Sequence, residues 1–470
     1  MKQLLLSMRT DLSILACLEN GVLNDLVVEP SEEKDIVGRV YKGIIKNVVP
    51  SLNGMFVDIG IGRNAFLRTR DTLPEQAHTE GASILVQVEK DSTETKGPLV
   101  TEMVSFAGKY AVALWGSDYI GISKKIRNEE VRKHLKEYAG EIRPAGFGLI
   151  VRTAAENITE NVFKRDLSSL RHMAEIVTKR FNLEKGPCLL YRDGDLAVRT
   201  IRDYFSEDVD VLLVDDQKTW ERLSSMAQDE SLKLADKIKR YDDNESLLKK
   251  FHVEEQIDEL FQRVVSLKSG GSLIIDYTEA LTVIDVNSGS FKGKNIPHEQ
   301  LAFLINKSAA FEIARQIRLR GIGGIIIIDF IDMKNQTEKE ELIHILQSEV
   351  SKDRIKTVVC GMTSLGLVEM TRKRTSHRLW ENFFDTCPHC RGSGKVLSVR
   401  AAADRIIKDL ESRRKEGPFK DDIEIRCNKD VADFLNSETL KSIVSDIVGH
   451  DVSLKGDSLF DRGTYSILLQ

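Results

Sequence analysis

Two aspartates in this sequence close apolar stretches that have the composition of buried strands. Asp285 ends "ALTVID" and Asp329 ends "GGIIIID". Between them, residues 298–320 carry apolar positions at helical spacing, and Gly321 follows as a stop signal. This order predicts a β-α-β unit, whose parallel strands bring both carboxylates to the same edge of one sheet.

An asparagine adds a third oxygen to the aspartate pair. Asn287 lies two residues after Asp285, so its side chain points to the same face while the strand continues. Carboxylate and amide oxygens suit Mg²⁺, which keeps several waters and is often completed by substrate phosphate. A metal-activated water at such a site can attack phosphorus. The alternative is that each aspartate only caps a loop. Asp332, three residues beyond Asp329, need not share its face.

A pair of cysteines stands in "TCPHCRGSGKV", residues 386–396, the one Cys-x-x-Cys string of the chain. Cys387 and Cys390 offer two thiolates from one turn, which is half of a tetrahedral zinc site. Gly392 and Gly394 permit the tight turn that such a site needs. A redox pair is the rival interpretation, but it belongs at a helix start, and here Gly-Ser-Gly follows.

The two missing zinc ligands have two candidate sources. His389 or His377 can complete a site within one chain. The simpler interpretation is that two chains each give Cys387 and Cys390 to one zinc ion, which supplies all four ligands. It predicts about one zinc per two chains.

Candidate phosphate contacts lie in two strings. No G-x-x-x-x-G-K-[ST] string occurs, so a P-loop nucleotidase is disfavoured and a phosphate on a polymer is expected. In "TRKRTSHR" basic residues follow one another without an acid, and they suit an RNA backbone or a solvated positive face. In "GFGLIVRTAAEN" a strand runs into Arg152 and Thr153, which can grip a terminal phosphate or simply end the strand. The basic residues of the first string are Arg372, Lys373, Arg374 and Arg378.

Residues 36–68 alternate apolar and polar positions with glycines at bends, which predicts a small β-barrel. Basic residues outnumber the single acid Asp58 there, and strand-borne rings suit stacking with single-stranded nucleic acid. The alternative is that the rings are core and the charges a solvated face. The basic residues are Arg39, Lys42, Lys46, Arg63 and Arg68, and the rings are Tyr41, Phe56 and Phe66.

Composition places the chain among multidomain globular proteins. It has 470 residues, 41% apolar and 30% charged, with a net charge of −5, so polyanion binding must come from local patches. The N-terminus lacks a signal-peptide core, and the apolar run Ile322–Ile331 is broken by Asp329, so a cytoplasmic protein without a membrane segment is expected. Residues 220–265 read as a helical scaffold, and residues 411–422 as a linker before a small α+β unit.

Together these strings resemble the bacterial ribonuclease E/G family. The resemblance rests on "GRVYKGIIKNVVPSLNGMFVDIG", "GLIVRTA", "EALTVIDVNSG", "EIARQIRLRGIGGIIIIDFIDM", "LGLVEMTRKR" and "CPHCRGSG", and it covers about residues 1–400. It implies a magnesium-dependent endoribonuclease that cuts single-stranded, often A/U-rich RNA and leaves 5′-phosphate and 3′-hydroxyl ends. It further implies a preference for 5′-monophosphorylated substrates and a role in rRNA processing and mRNA decay.

The resemblance also implies an architecture. An RNase H-like domain comprises residues 1–35 and 198–262, interrupted by an OB-fold barrel at 36–110 and a 5′-monophosphate sensor at 111–197. A DNase I-like catalytic domain at 263–384, a zinc-link at 385–396 and a small α+β domain at 397–470 follow. Zinc-linked dimers that pair into tetramers are implied.

Site residues carry over by matching motifs. Asp285 and Asp329 match the magnesium-binding aspartates of the family, and Asn287 matches their companion. Arg152 and Thr153 match the 5′-monophosphate sensor. The RNA-contacting positions of the barrel match Phe56, Phe66 and Lys96.

One position departs from the family pattern. Lys356 stands where the sensor pocket often has a second arginine. A lysine keeps the charge but loses the planar fork, so its role in phosphate binding is open.

The ribonuclease E branch carries a long disordered tail that scaffolds other enzymes. Because this chain ends at Gln470, it resembles ribonuclease G or a tailless catalytic core, and no scaffold for a degradation complex is expected. The competing hypothesis is a non-catalytic RNA-binding or chaperone protein in which the aspartates are structural.

Overall fold

Five β-sheets and twelve α-helices make up the part of the chain that the computed structural model describes. That part comprises residues 1–8, 11–30, 36–73, 78–92, 96–143, 146–156, 158–230, 232–289, 298–374, 378–419 and 421–469. Contacts divide the chain into two units, Met1–Asn382 and Phe383–Gln470. The protein is therefore a multidomain α/β protein, and none of the described helices is long and apolar enough to cross a membrane.

The first sheet joins the N-terminus to a segment some 200 residues later. Leu4, Leu5 and Leu6 are fully buried, and their strand pairs in parallel with a later apolar strand. The strand order is β15-β14-β1-β2-β3. The strands are β1 (Lys2–Ser7), β2 (Leu12–Glu19), β3 (Val22–Pro30), β14 (Val211–Val214) and β15 (Ile238–Arg240), packed by α3 (Leu196–Arg199), α4 (Gln217–Glu230) and α5 (Leu232–Ala235).

The second sheet closes into a five-stranded barrel, as the alternating pattern predicts. Closure follows because β4 pairs with both β5 and β7, and the inward residues Val57, Leu67 and Val86 are fully buried. A sixth strand, β13, extends the sheet beside β4. The strands are β4 (Val40–Val49), β5 (Gly54–Asp58), β6 (Ala65–Arg68), β7 (Ser83–Lys90), β8 (Leu99–Thr101) and β13 (Cys188–Tyr191).

The third sheet has the order β11-β12-β10-β9 and packs on two helices. Its first strand, Ser105–Ala107, falls inside the barrel segment proposed from sequence, whereas β13 falls inside the sensor segment. β9 pairs with the adjacent β10 in a short hairpin, whereas β13 pairs with β4, almost 150 residues earlier in the chain. The second pairing is long-range, and no local pattern encodes it. The elements are β9 (Ser105–Ala107), β10 (Ala111–Trp115), β11 (Ile120–Ile122), β12 (Phe147–Val151), α1 (Glu129–Ile142) and α2 (Glu160–Leu183).

The fourth sheet contains the predicted β-α-β unit and has the order β16-β17-β18-β19-β21-β20. Its apolar core faces α8 and α9, and α8 stops where Gly321 adopts a φ of 63°. The strands are β16 (Val264–Ser266), β17 (Ser272–Tyr277), β18 (Leu281–Asn287), β19 (Gly324–Asp329), β20 (Thr357–Met362) and β21 (Leu367–Arg372). The helices packed on this sheet are α8 (His298–Leu319) and α9 (Gln336–Ser351). Two short helices precede it, α6 (Leu247–Lys250), which contacts β1, and α7 (Val253–Glu259).

The second unit, Phe383–Gln470, is a three-stranded sheet with three helices. The linker expected at 411–422 is corrected, since residues 411–416 continue a helix whose Leu410 is fully buried in the core. The elements are α10 (Val399–Glu416), β22 (Ile423–Asn428), α11 (Lys429–Leu435), α12 (Glu438–Val448), β23 (Val452–Asp457) and β24 (Tyr465–Leu469).

Candidate active site and RNA-binding surfaces

The two aspartates singled out from the sequence are direct neighbours. Strands β18 and β19 are parallel, and their register pairs Asp285 with Asp329. Ile284 and Ile328, one residue earlier on each strand, are fully buried against the helices. Both carboxylates therefore lie on the opposite, open face of the sheet, where Asp285 is half-buried and Asp329 exposed.

Asn287 lies on the same face and contacts one member of the pair, Asp285. Its Nδ2 donates a 2.7 Å hydrogen bond to Oδ2 of Asp285. Two carboxylates and an amide form an all-oxygen set, which fits Mg²⁺ and leaves room for water and phosphate ligands. Within the described residues no group of three or more acidic, histidine or cysteine side chains is placed to hold one metal ion, so Asp332 does not join this set as a third carboxylate.

A buried asparagine, which sequence reasoning did not single out, positions the chain after Asp329. Asn306 of α8 is fully buried, its Nδ2 donates to the carbonyl of Ile331 at 2.8 Å, and its Oδ1 accepts from the Ile331 amide at 3.0 Å. These two hydrogen bonds to one residue mimic those of a neighbouring strand. It fixes the backbone two residues beyond the aspartate, and a lone asparagine in a helix gives no sequence signal of such a role.

Arg152 and Thr153 follow β12 and are held by different partners. Arg152 Nη1 donates to the Gly108 carbonyl at 2.6 Å, and Nη2 donates to Asp203 Oδ1 at 2.7 Å. The exposed Thr153 hydroxyl shares a 2.8 Å hydrogen bond with that of Ser123. The strand end thus carries a guanidinium bonded to Gly108 and Asp203, and a hydroxyl bonded to Ser123.

The segment before Lys356 reaches the same region. Lys125, two residues after Ser123, donates from Nζ to the carbonyl of Asp353 at 3.2 Å. Lys356 itself is exposed, three residues further along. The structure therefore brings a lysine-bearing segment of the fourth sheet against the third sheet. Lys125 is a cation that sequence reasoning missed, because isolated surface lysines carry no pattern.

The barrel carries its aromatic pair on neighbouring strands. Phe56 and Phe66 are paired in register, half-buried, and their ring centroids lie 5.5 Å apart. A Cβ on Gly54 would lie 2.5 Å from Phe66 Cζ, so this ring rests directly on bare backbone. Arg63 Nη1 donates to the Lys96 carbonyl at 3.4 Å, which places the Arg63 guanidinium beside the backbone of Lys96.

The cysteine turn stabilises one thiolate. Backbone N–H groups of Cys390 and His389 point at Cys387 and hold the pKa of its thiol below the ordinary value. The turn closes with the Arg391 amide donating to the Cys387 carbonyl at 2.8 Å, followed by Gly392 at a φ of 85°. This arrangement fits half of a tetrahedral zinc site. Among the residues described, no third ligand stands with the two cysteines; His377 lies outside them.

A family model described as the ribonuclease E/G family matches residues 105–375, which is more than half of the chain. The chain belongs to this family.

Relatives within the ribonuclease E/G family extend over nearly the full length. Ribonuclease G of Escherichia coli K12 is 33% identical over 491 aligned residues, covering 99% of both chains. Ribonuclease G of Haemophilus influenzae is 30% identical over 492 residues, again with 99% of both chains covered. Ribonuclease E of Synechocystis is 37% identical over 391 residues, which are 80% of this chain and 58% of the relative.

Family membership does not make every basic or aromatic residue of the sequence patterns a contact for RNA. Tyr41, counted among the stacking rings, is only 4% exposed and belongs to the barrel core. Lys42, counted among the basic residues, is buried and donates from Nζ to the carbonyls of Phe181 and Glu184 at the end of α2. Both assignments are wrong because alternation identifies faces but not which face is covered by another element.

Arg372, counted among the basic residues of "TRKRTSHR", is also wrongly assigned to the RNA surface. Its guanidinium is buried, pairs with Asp353 at 2.7 Å and donates to the Ile322 carbonyl at 3.0 Å. It is therefore a structural residue. Lys373 and Arg374 are exposed, and Arg378 is half-buried with its guanidinium 5.2 Å from the Tyr277 ring centroid, so two of the four basic residues form the exposed patch.

Proposed function

We propose that this protein is a magnesium-dependent endoribonuclease that cleaves single-stranded RNA to 5′-phosphate and 3′-hydroxyl ends, stimulated by a substrate 5′-monophosphate, in RNA processing and mRNA decay. The observation that carries this proposal is the in-register pair Asp285 and Asp329 on an open sheet face. Relatives named ribonuclease G, similar over 99% of the chain, support the assignment as an endoribonuclease.

Asp285, Asp329 and Asn287 would hold the magnesium ion. When bound, the ion would activate water and neutralise charge on the scissile phosphate. Two neighbouring carboxylates otherwise repel an RNA backbone, so an open face with these residues favours a cation-dependent activity over plain RNA binding. Asn287 orients the Asp285 carboxylate through their hydrogen bond.

Separate surfaces would bind the RNA chain and its end. Phe56 and Phe66 present rings on which unpaired bases can stack, and Lys96 with Arg63 would contact adjoining phosphates. Lys373 and Arg374, which follow strand β21 of the fourth sheet, would contact the RNA backbone.

A terminal monophosphate would be gripped by Arg152 and Thr153. Arg152 uses two N–H groups on protein partners, and a guanidinium carries five. Lys356 would add a point charge without the planar fork of an arginine.

Zinc would join two copies of the chain. Cys387 and Cys390 supply two ligands, and a second copy would supply the same two, giving a dimer that can pair into a tetramer. Metal analysis of purified protein should find about one zinc per two chains. One zinc per chain would argue against a shared site.

The activity is tested on one defined RNA carrying a 5′-phosphate, a 5′-triphosphate or a 5′-hydroxyl, with magnesium or with a chelator. We expect scission only with magnesium, fastest for the monophosphate, and products with 5′-phosphate ends. Retention of RNA without scission at any magnesium concentration would instead identify a non-catalytic RNA-binding protein.

A further inference from the structure

The guanidinium of Arg152 is aimed by a single carboxylate. Arginine side chains are long and rotate freely, so an exposed strand end does not by itself orient one. Asp203 Oδ1 accepts from Arg152 Nη2 at 2.7 Å, and Asp203 is only 18% exposed. The Gly108 carbonyl accepts from the other terminal nitrogen. Two fixed acceptors thus set the plane of the fork.

Asp203 is itself immobilised by the residue beside it. Its second oxygen, Oδ2, accepts from Arg202 Nε at 3.0 Å and Nη2 at 2.8 Å. Arg202 is anchored in turn by Asp193 at 2.5 Å and by the Ala107 carbonyl at 3.3 Å. Burial raises the pKa of Asp203, but the hydrogen bonds and charges of Arg202 and Arg152 outweigh it, so the pKa stays below the ordinary value and the group is a carboxylate.

The same short segment receives an arginine from the fourth-sheet region. Arg354 Nη1 donates to the Asp203 carbonyl, and its guanidinium lies 3.6 Å from the ring centroid of Tyr204. Both contacts fall in Thr200–Tyr204, a π-helical turn, which is a geometry often found at functional sites. The Asp203 carboxylate therefore holds Arg152. The Asp203 carbonyl and the Tyr204 ring hold Arg354.

The same contact helps to hold the segment that carries Lys356, whose own carbonyl accepts from the Lys373 amide at 3.0 Å. Arg354 precedes Lys356 by two residues, and the Lys125 ammonium bonds the Asp353 carbonyl on the other side. The Asp353 carboxylate is locked to the buried Arg372 at 2.7 Å. The segment 353–356 is consequently held at three points, and Lys356 is its last residue.

We propose that Asp203 and Arg354 are positioning residues for recognition of the RNA 5′-monophosphate, Asp203 by orienting Arg152 and Arg354 by placing the segment that carries Lys356. Neither residue needs to touch the phosphate. The inference rests on the proposed role of Arg152 in binding that end, and it extends the pocket to two residues that no sequence pattern marks.

The test compares cleavage of one RNA with a 5′-monophosphate or a 5′-hydroxyl by wild type, Asp203→Asn and Arg354→Ala. Asn keeps an acceptor but removes the charge, and Ala removes both the stacking and the donor. We expect the ratio of kcat/KM for the two substrates to fall about fivefold or more in each variant, since loss of positioning alone can cost up to about a hundredfold. Arg354→Lys should fail to restore the ratio, because lysine lacks the planar group that stacks on Tyr204.

Arg171→Ala is the matched control, because it removes an exposed arginine whose partner, Glu175, lies one helical turn away on α2. Its ratio should equal that of wild type. Thermal unfolding reports whether each variant is folded. Tyr204→Leu, which removes the ring beneath the Arg354 guanidinium, replaces Arg354→Ala if that variant is unfolded.

Unchanged ratios in folded Asp203 and Arg354 variants would overturn this inference and leave the sensor assignment standing. An equal loss on both substrates would also overturn it, because a purely structural role does not discriminate between RNA ends. If wild type itself cleaves both RNAs equally, the sensor assignment fails, and the inference fails with it.

Discussion

The aspartate edge of the fourth sheet and the strand end at Arg152 and Thr153 are built in different ways. Asp285 and Asp329 are neighbours because two apolar strands run in parallel, a feature written in consecutive residues. Arg152 and Thr153 are held by Gly108, Ser123 and Asp203, which come from three separate segments. Strand register therefore positions the first group, and tertiary contacts position the second.

The largest effect is expected at the aspartate edge. Asp329→Asn removes one negative ligand of the proposed magnesium site, so RNA cleavage should fall on the order of a thousandfold. RNA affinity should change little, because in the proposed function the barrel supplies most of it. Cleavage rates over a magnesium titration and a separate binding assay measure the two quantities.

Asp276→Asn is the control for that variant, because Asp276 lies on the same sheet but pairs with Arg263 at 2.6 Å. Its cleavage rate should match wild type. Full activity of Asp329→Asn would place the chemistry away from the aspartate edge, and strand register would then not account for the active site.

The next largest effect is expected for the buried ion pair of Arg372 and Asp353. Arg372→Ala leaves the Asp353 carboxylate buried without its partner, so the free energy of unfolding should drop by about 3 kcal/mol. Denaturant unfolding measures this, with the exposed Lys373→Ala as the control of unchanged stability. A stable Arg372→Ala that binds RNA weakly would return this residue to the RNA surface.

A moderate effect is expected in the barrel, which resembles the aspartate edge because strand register places its residues. Phe66→Ala should weaken binding of single-stranded RNA about tenfold, within the range for loss of one stacking ring. Ile176→Ala, an exposed apolar residue of α2, should bind as wild type does. Fluorescence anisotropy with a short labelled RNA distinguishes them, and equal affinities would make the Phe56 and Phe66 pair structural.

The smallest effect is expected for a conservative change at Arg152. Arg152→Lys keeps the charge but cannot bridge the Gly108 carbonyl and Asp203 as a planar fork does, so preference for a 5′-monophosphate should fall about fivefold. Competition between monophosphorylated and hydroxyl RNAs measures the preference, with Arg171→Lys as the control. An undiminished preference would show that charge, not geometry, recognises the end.

Local patterns predicted the parts of the fold that depend on consecutive residues. The apolar runs before Asp285 and Asp329, the helix ending at Gly321 and the alternation of the barrel strands all appear in the structure. The same patterns assigned Tyr41 and Lys42 to an RNA surface, although a barrel core and the end of α2 cover them. Alternation reports that two faces differ, but not what lies against each.

Spacing along one or two adjoining elements was enough to predict the aspartate pair, the two-cysteine turn and the aromatic strands. The burial of Arg372, the hydrogen bonds of Asn306 to the chain after Asp329, and the bond between Asp203 and Arg152 depend on tertiary contacts. Those contacts join residues up to 51 positions apart through single side chains, and a single side chain leaves no periodic trace in a sequence.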